Sequence, residues 1–364
     1  MGGSLKLATI QGIPVLLHWT FGLLFVWLGY VGFAEGMNAI GILWFFAFAL
    51  LLFACVVVHE FGHALTARKF GVDTKDIILS PLGGLARLTR LPEKPIHEFL
   101  IALAGPATNV GIAILLFPII WFSSSMTFQI TDTADVLFTK PANLMPLLFY
   151  TNITLVVFNM IPAFPMDGGR VLRSLLAMSM NRLLATRIAV VIGQVFGLMF
   201  LLLALYLGEL ILGLIGVFVF FMATAEWRSA KMDHALRSKS ASEVMRTTFT
   251  RVRENQQLGE LAAVFMTGIE VSFLVFEENG YVYSGVLNAS DLAHAYQQGE
   301  SQRLVGELVK KEIVYTFPEA SLNDSFYKMI QHKVDLIPVI SGQQIVGVID
   351  SRIINQTLQG NSRN

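Results

Sequence analysis

Long apolar runs between positions 13 and 226 constrain this 364-residue chain more than any other feature of its sequence. A stretch of about 20 apolar residues is long enough to cross the roughly 30 Å hydrocarbon core of a bilayer as a helix. With 54% apolar and 14% charged residues, the chain is too apolar for an ordinary soluble enzyme. The last third has the mixed composition of a water-soluble fold, so the sequence predicts a membrane region followed by a soluble region.

The apolar runs predict six transmembrane helices in an α-helical, polytopic membrane domain that covers residues 1–226. The first run is longer than the core of a signal peptide and no clear cleavage site follows it, so it is interpreted as a retained span. Asn152 and Asn159 interrupt the fourth helix, and a tight turn at Gly208–Glu209 joins the last two. The predicted helices are 14–34, 38–66, 97–122, 146–165, 188–207 and 209–226.

The distribution of basic residues predicts the orientation of these helices. Six crossings place the N-terminus, the segments 67–96 and 166–187, and the C-terminal region on one side of the membrane. Because positively charged loops stay in the cytoplasm, this side is predicted to be cytoplasmic, in a prokaryotic plasma membrane. The opposite loops carry only Lys140. The fifteen basic residues on the predicted cytoplasmic side are Lys6, Arg68, Lys69, Lys75, Arg87, Arg90, Lys94, Arg170, Arg173, Arg182, Arg187, Arg228, Lys231, Arg237 and Lys239.

Charge balance and cysteine content limit the classes of partner and metal site. Lys+Arg and Asp+Glu are equal at 26 each, so net charge does not indicate a nucleic-acid partner, and none is expected. A single cysteine, Cys55, excludes an intrachain disulfide framework and a metal site made of cysteines alone. Any metal must therefore be bound by histidine and carboxylate side chains.

A metal-binding motif lies at the predicted cytoplasmic end of the second helix, where the sequence is HEFGH over residues 59–63. Residues four apart share one helical face, so His59 and His63 can bind one ion about 2 Å from each ring nitrogen. Glu60 then lies beside the metal without binding it, and can act as the general base that takes a proton from water. A chance match is the alternative, but such polar residues in an apolar helix are costly in lipid unless they face a cavity or one another.

A catalytic zinc ion needs three protein ligands and one open position, so a third ligand is expected far away in the sequence. Asp167 is the best candidate, because it follows the fourth helix at the membrane depth where the second helix ends. Asp-Gly-Gly at 167–169 is also ordinary turn chemistry, and the nearby prolines and glycines equally fit a broken helix that lines a cavity. Asn159 in mid-membrane either polarises a substrate carbonyl or bonds a neighbouring helix.

The two motifs HEFGH at 59–63 and NMIPAFPMDGGR at 159–170 together resemble the site-2 protease family of intramembrane zinc metalloproteases. The resemblance covers about residues 1–226 and implies one zinc ion per chain. It assigns two histidines and an aspartate to the metal, a glutamate to the base and an asparagine to substrate positioning. In that order, these residues are His59, His63 and Asp167, then Glu60, and then Asn159.

Two further stretches support the same resemblance. The segment PLGGLA at 81–86 is similar to the membrane-re-entrant hairpin of the family, and GPATN at 105–109 is similar to its third-helix motif. An unfolded substrate helix exposes N–H and C=O groups that lipid cannot satisfy, and a strand edge near 77–88 could pair with them. Gly83 and Gly84 are therefore predicted to help position the substrate, with a surface turn as the alternative interpretation.

After Lys239 the pattern changes to short strands and amphipathic helices, and two segments repeat at an offset of 62 to 63 residues. VSFLVF at 271–276 leads to Gly-Val-Leu, and VDLIPVI at 334–340 leads to Gly-Val-Ile. Such a duplication indicates two copies of one module, and these resemble a pair of CBS domains. The predicted domains are 1–226 in the membrane, a linker at 227–239 and a soluble α/β domain at 240–364, with CBS modules at about 240–297 and 304–359.

The CBS resemblance implies an adenine nucleotide held between the modules. Nucleotide sites of that family often end in Gly-x-x-Thr-x-x-Asp, where the first copy has Asn288 and Asp291 and the second has Asp350 and Ile353. A carboxylate can bind a ribose hydroxyl and isoleucine cannot, so at most one site is expected, with Asp291 in it. A purely structural pair or a dimerising pair is the alternative, and a dimerising pair would make the protein a homo-oligomer.

The sequence thus predicts an intramembrane zinc endopeptidase that cuts within or next to a transmembrane helix of a membrane-anchored regulatory protein. Nucleotide binding to the CBS pair is the predicted means of regulation. A CBS-controlled channel or transporter would also place polar residues in the membrane, but it leaves HExxH and a distant aspartate unexplained. A catalytically silent scaffold is disfavoured by the intact Glu60.

Overall fold

The computed structural model describes residues 4–81, 83–92, 94–123 and 143–360. The chain divides into two compact units, Met1–Trp227 and Arg228–Asn364. The segment 126–140, predicted to be external and to contain Lys140, lies outside the described residues. Among the described residues the first unit contains β1 (Ser4–Ile10), β2 (Ile13–His18), α1 (Thr20–Ala34), α2 (Ala39–Lys69), β3 (Thr74–Ser80), β4 (Gly83–Leu88), α3 (Pro95–Ser123), α4 (Leu144–Asn159), α5 (Asp167–Ala177), α6 (Arg182–Leu207) and most of α7 (Leu210–Arg237).

Four of these helices, α2, α3, α6 and α7, are long and apolar enough to cross a membrane. The helices α1 and α4 are also apolar but have only 15 and 16 residues. Many large apolar side chains on these helices are exposed, as Phe33, Phe122 and Tyr206 are, and lipid would solvate them. The helical membrane architecture is therefore confirmed, whereas the count of six spans stays a prediction.

The predicted first span at 14–34 is wrong at its N-terminal end, because β2 occupies its first residues and α1 begins only at Thr20. A short apolar run does not distinguish a strand from a helix by periodicity. Here the run pairs in parallel with β3, and Ile13 and Val15 are buried against α2 and β3. Tertiary pairing therefore decides the conformation of this segment.

The ends of α4 and α6 also differ from the prediction. The helix α4 ends at Asn159 rather than at position 165, because Pro162 and Pro165 lack the N–H group that a helix interior needs. The helix α6 begins at Arg182 rather than at position 188, after Asn181, whose side chain accepts a hydrogen bond from the Leu184 backbone N–H at 2.8 Å. A search for uninterrupted apolar runs misses these first residues, because Arg182, Thr186 and Arg187 interrupt the run.

The tight turn predicted between the last two helices is present at Gly208, whose φ of 71° is readily adopted by glycine. The helix α7 then continues to Arg237 instead of ending at position 226. Most of the predicted linker 227–239 is thus helical. Its alanine, methionine, lysine and arginine residues favour a helix, although they are too polar to be counted as part of a span.

The four strands of the first unit form one sheet in the order β1-β2-β3-β4, so β4 lies at an edge. The pair β3 and β4 is an antiparallel hairpin in which Asp76 lies opposite Arg87. The Arg87 guanidinium donates to both carboxylate oxygens, with Nε 2.6 Å from Oδ1. This pair supports the register of the hairpin predicted near 77–88. Because β4 is the last strand of the sheet, the backbone groups on its outer edge do not pair with another strand of this sheet.

Glycines allow the elements that carry the site to approach closely. A Cβ atom on Gly62 of α2 would lie only 2.6 Å from the carbonyl oxygen of Ala104 in α3. A Cβ atom on Gly168 of α5 would lie 2.2 Å from the carbonyl oxygen of Ile161, in the segment that precedes α5. Larger residues would separate these backbones, so the glycines determine where the side chains of α2, α3 and α5 meet.

The second unit contains two strand-helix modules whose buried residues join in one apolar cluster, which includes Leu274 and Val286 of the first module and Leu336 and Val348 of the second. The strands form sheets in the orders β5-β6-β7 and β8-β9. Its elements are α8 (Ala241–Val244), β5 (Arg251–Arg253), α9 (Leu258–Met266), β6 (Phe273–Phe276), β7 (Tyr283–Leu287), α10 (Ala289–Gln297), a 3₁₀ turn (Val305–Glu307), α11 (Leu322–His332), β8 (Leu336–Ser341), β9 (Gln344–Asp350) and α12 (Ser351–Gly360).

Candidate metal centre

The two histidines of the HEFGH motif lie one turn apart on α2, and both are buried. Their Nε2 atoms are 3.1 Å from each other, and their rings are nearly perpendicular with centroids 4.8 Å apart. The helical spacing of four residues therefore directs both Nε2 atoms to one point, as the sequence predicts.

The other ring nitrogen of each histidine is held by α3. Nδ1 of His63 lies 2.7 Å from the carbonyl oxygen of Ile101, and Nδ1 of His59 lies 3.1 Å from Oδ1 of Asn109. A carbonyl oxygen can only accept, so each Nδ1 carries a proton, and in the neutral ring each Nε2 then presents its lone pair. This is the tautomer that a metal ligand requires, and α3 fixes it for both rings.

Asp167 is the first residue of α5 and meets the two histidines. Its Oδ2 atom is 3.1 Å from Nε2 of His59 and 3.2 Å from Nε2 of His63, and its side chain is buried. The three residues form a group whose ligand atoms can hold a metal ion. Four ligands placed tetrahedrally about 2 Å from a zinc ion are roughly 3.3 Å from one another, so the observed triangle fits zinc closely.

Gly105 of α3 keeps the space beside this triangle open. A Cβ atom at this position would lie 2.2 Å from Nε2 of His63 and 2.6 Å from Nε2 of His59. The sequence motif GPATN contains both Gly105 and Asn109, but the sequence alone did not show what either residue does. An asparagine inside a long apolar helix was the available signal, since a polar group in lipid needs a specific partner.

The side chain of Glu60 extends from α2 to the edge strand β4. Its Oε2 atom accepts a hydrogen bond of 2.8 Å from the backbone N–H of Ala86, and a Cβ atom on Gly84 would lie 2.6 Å from the Glu60 Cγ atom. The Ala86 N–H therefore points away from β3, toward the outer edge of the sheet. The carboxylate sits next to the histidine pair in sequence but is not one of the three residues that meet at the triangle.

The residues predicted to position the substrate, Gly83, Gly84 and Asn159, are not part of the group formed by His59, His63 and Asp167. Gly83 begins β4 with a φ of 122°, a conformation that favours glycine, and Gly84 packs directly against Glu60. Asn159 is the last residue of α4 and is partly buried. It is separated from Asp167 by the segment that turns between α4 and α5.

The predicted nucleotide residue lies in the second unit. Asp291 is in the first turn of α10, partly exposed, with Oδ2 3.8 Å from Nζ of Lys310. Asn288, which replaces the threonine of the family pattern, donates from Nδ2 to the Lys333 carbonyl at 3.0 Å and accepts at Oδ1 from the Asp335 N–H at 2.9 Å. Its amide therefore ties the first module to the second.

A cavity of about 730 Å³ in the same unit is lined by other residues, among them Glu254, Tyr283 and Ser284. Burial raises the pKa of Tyr283. A hydrogen bond from the Ser284 hydroxyl lowers the pKa of Glu254, and Lys311 acts in the same direction. Asp291 is not part of its lining, so this cavity and the predicted nucleotide residue are separate features.

The fold and the site define a helical membrane protein with a buried metal-binding group on crossing helices and a second, α/β unit. Comparison with protein-family models gives a match to Peptidase family M50 at residues 47–204. The CBS domain model matches twice, at residues 241–298 and 305–359.

The chain is similar to other proteins over different shares of its length. It is 30% identical over 352 residues to a zinc metalloprotease of Methanocaldococcus jannaschii, covering 96% of this chain and 94% of that protein. A CBS domain-containing protein of Bacillus subtilis is 31% identical over 112 residues, which cover 30% of this chain and 79% of that protein. The solved site-2 protease from Methanocaldococcus jannaschii is 38% identical with a TM-score of 0.46, covering 62% of this chain and 95% of that one.

The chain belongs to peptidase family M50, the site-2 protease family, and carries a pair of CBS domains. It is therefore a zinc metalloendopeptidase with a multi-pass membrane part, and cleavage within the membrane is general for this family. The predictions of family, enzyme class and metal from the sequence are confirmed.

Proposed function

We propose that His59, His63 and Asp167 bind the zinc ion, and that Glu60 is the general base of peptide hydrolysis within or next to a transmembrane helix. The observation that carries this proposal is the buried triangle of ligand atoms, whose sides of 3.1 to 3.2 Å match a tetrahedral zinc site. The fixed tautomer of both histidines supports it further, because each Nε2 lone pair is directed into the triangle.

The side chains at and beside the triangle have different roles in hydrolysis. His59, His63 and Asp167 would hold a zinc ion, which would supply Lewis-acid chemistry that lowers the pKa of a water molecule and polarises the substrate carbonyl. The Glu60 carboxylate would take a proton from the attacking water as the water oxygen bonds to the carbonyl carbon of the substrate. It would then transfer this proton to the amide nitrogen, which leaves as an amine when the C–N bond breaks. The hydrogen bond from Ala86 holds the Glu60 carboxylate beside the site before a substrate arrives.

The outer edge of β4 is the proposed docking site for the unfolded part of the substrate helix. Successive strand residues direct their backbone groups to alternate sides, so Gly84 and Leu88 present N–H and C=O groups on the same edge as Ala86. Strand addition would satisfy the backbone groups that the substrate exposes when its helix opens. Gly84 leaves room for the Glu60 side chain beside this edge, and Gly83 adopts the φ of 122° with which β4 begins. Asn159 is proposed to hold the substrate from the side of α4.

The proposed substrate is a membrane-anchored regulatory protein, cut near its cytoplasmic end in a prokaryotic plasma membrane. The basic residues beyond Trp227, such as Arg228 and Lys231, support a cytoplasmic CBS pair. An adenine nucleotide bound at Asp291 is the proposed regulator, because this carboxylate is accessible and can accept from a ribose hydroxyl. A homo-oligomer formed through the CBS pair is compatible with this arrangement.

The test separates metal binding from catalysis by substitution of single residues in the purified, full-length protein. His59→Ala, His63→Ala and Asp167→Ala should each lose zinc and peptidase activity together, because a three-ligand site that lacks one ligand holds the ion far more weakly. Glu60→Gln should keep about one zinc per chain while hydrolysis falls by about 10² to 10⁴-fold, because the amide cannot accept the proton. Zinc is measured by mass spectrometry, and cleavage with a model transmembrane substrate in detergent.

A matched control is Glu209→Gln, which makes the same chemical change at an exposed carboxylate in the turn between α6 and α7. It should alter neither zinc content nor cleavage. Full activity in Glu60→Gln would end the assignment of the base. Undiminished zinc in Asp167→Ala would show that another residue supplies the third ligand.

A further inference from the structure

We infer that Arg173 is a positioning residue for Asp167, and that a buried network of ion pairs around its guanidinium fixes α5 against α3 so that the carboxylate meets the two histidines. The inference rests on the proposed ligand set. It concerns a residue that lies six positions after Asp167 on α5, about 9 Å along the helix axis.

The Arg173 guanidinium is almost completely buried, with 2% of the residue exposed, and it contacts three separate parts of the first unit. Nε donates to Oε1 of Glu98 on α3 at 2.7 Å, and NH1 donates to Glu226 on α7. The guanidinium carbon lies 5.0 Å from the centre of the Phe164 ring, in the segment that leads into Asp167. Arg173 therefore connects α5 and its preceding segment to two long helices.

The charges in this network balance. Glu98 is 4% exposed and also pairs through Oε2 with Arg182 of α6, so two carboxylates face two guanidinium groups. A buried charge is tolerated only when it is paired and hydrogen-bonded, and removal of one partner leaves an uncompensated charge. The ion pairs with Glu98 and Glu226 thus fix the position of Arg173, and Arg173 fixes α5 against α3.

The helix α3 is the common support of the histidines and of Arg173. Four of its positions follow one another at spacings of three and four residues, so they lie along one helical face. These positions are Glu98, Ile101, Gly105 and Asn109. Glu98 binds Arg173, and the carbonyl oxygen of Ile101 accepts from His63. Gly105 leaves room beside both Nε2 atoms, and Oδ1 of Asn109 accepts from His59.

This arrangement explains how ligands separated by more than a hundred residues meet within 3.2 Å. The histidines are positioned by their Nδ1 contacts with α3, and Asp167 is positioned by the ion pair six residues further along α5. The histidine pair and Asp167 are therefore both positioned by contacts with the same face of α3. Loss of the Arg173 contact should displace the Asp167 carboxylate while the histidine pair keeps its place.

The test is the zinc affinity of the full-length, metal-depleted protein in detergent, measured by competition with a chromophoric chelator. Arg173→Gln should weaken zinc binding by about 10- to 100-fold, as loss of a group that orients a metal ligand does. Arg173→Lys should recover part of the loss, because it keeps a positive charge that reaches one carboxylate. The matched control is Arg182→Gln, which removes a positive charge from the same network but leaves the contact between α5 and α3, and it should change affinity by less than about threefold.

A double-mutant cycle distinguishes positioning from a general structural role. In an Asp167→Ala background, Arg173→Gln should weaken the remaining zinc binding by less than about twofold, because Arg173 acts only through Asp167. An equal loss in both backgrounds, or no loss in the first, would overturn the inference. If Arg173→Gln does not fold, as judged by size-exclusion chromatography, Glu98→Gln takes its place in the same cycle with the same expectations. Wild-type zinc affinity in Asp167→Ala alone would instead refute the ligand assignment, and the inference with it.

Discussion

Gly105→Ala is the substitution for which the structure gives the sharpest expectation. The added methyl group would lie 2.2 Å from Nε2 of His63 and 2.6 Å from Nε2 of His59, whereas ordinary contacts begin at about 3.4 Å. The shortfall at His63 is about 1.2 Å. The rings cannot turn away freely, because Ile101 and Asn109 hold both Nδ1 atoms.

The magnitude follows from this overlap. Overpacking of a rigid site costs about 1 to 3 kcal/mol, and each 1.4 kcal/mol is a factor of ten in an equilibrium constant. The methyl group would lie beside both Nε2 atoms, and zinc binding requires both atoms to stay at the triangle, whereas the metal-free rings can shift to relieve the overlap. We therefore expect the cost to fall mainly on the zinc-bound state and at the upper end, which corresponds to roughly a 100-fold loss of zinc affinity. The greater helix propensity of alanine, about 0.5 to 1 kcal/mol, offsets part of the strain in the metal-free protein.

The assay compares Gly105→Ala with Gly111→Ala, a second glycine of α3 where a Cβ atom would meet nothing within 4 Å. Chelator competition in detergent gives the zinc affinity, and the thermal midpoint of the metal-free protein gives its stability. Gly111→Ala should bind zinc as the wild type does and should be equally or slightly more stable. Gly105→Ala should lose zinc affinity and activity together.

Wild-type zinc affinity in Gly105→Ala would refute this reasoning. It would mean that α3 shifts at little cost, or that the ion is bound away from the triangle. A loss of the same size in Gly111→Ala would show that any change in α3 disturbs the site, so the effect would not belong to the space beside the histidines.

Three further outcomes test other parts of the molecule. Ala86→Pro removes an N–H that points away from β3, so it should lower kcat/KM by about tenfold at unchanged zinc content, whereas Leu85→Pro, which breaks the ladder itself, should lower the thermal midpoint. The full-length protein should bind ATP, ADP or AMP by calorimetry, and equal binding by Asp291→Ala would refute the nucleotide assignment. Fusion reporters placed after Trp227 should report a cytoplasmic position and those within 126–140 an external one, and the reverse pattern would contradict the proposed topology.

The features that the sequence predicted correctly are those set by neighbours a few residues apart. A spacing of four puts His59 and His63 on one helical face wherever α2 lies, so their meeting point needed no tertiary information. The apolar content of the long helices follows from composition alone, and the duplicated CBS modules follow from the repeat. Asp167 was predicted as the third ligand because HExxH supplies only two, and the structure places its carboxylate 3.1 to 3.2 Å from both histidines.

Only the tertiary structure decided the contacts between segments that are distant in the sequence. The residues at 13–18 became a strand because β3 was available to pair with them, although their apolar run equally suited a helix. The partners of the histidine rings, the space beside Gly105 and the network around Arg173 depend on how closely α2, α3 and α5 approach. That distance is set by the packing of glycine backbones against other helices, and a periodic pattern within one helix records which face is polar but not what that face will meet.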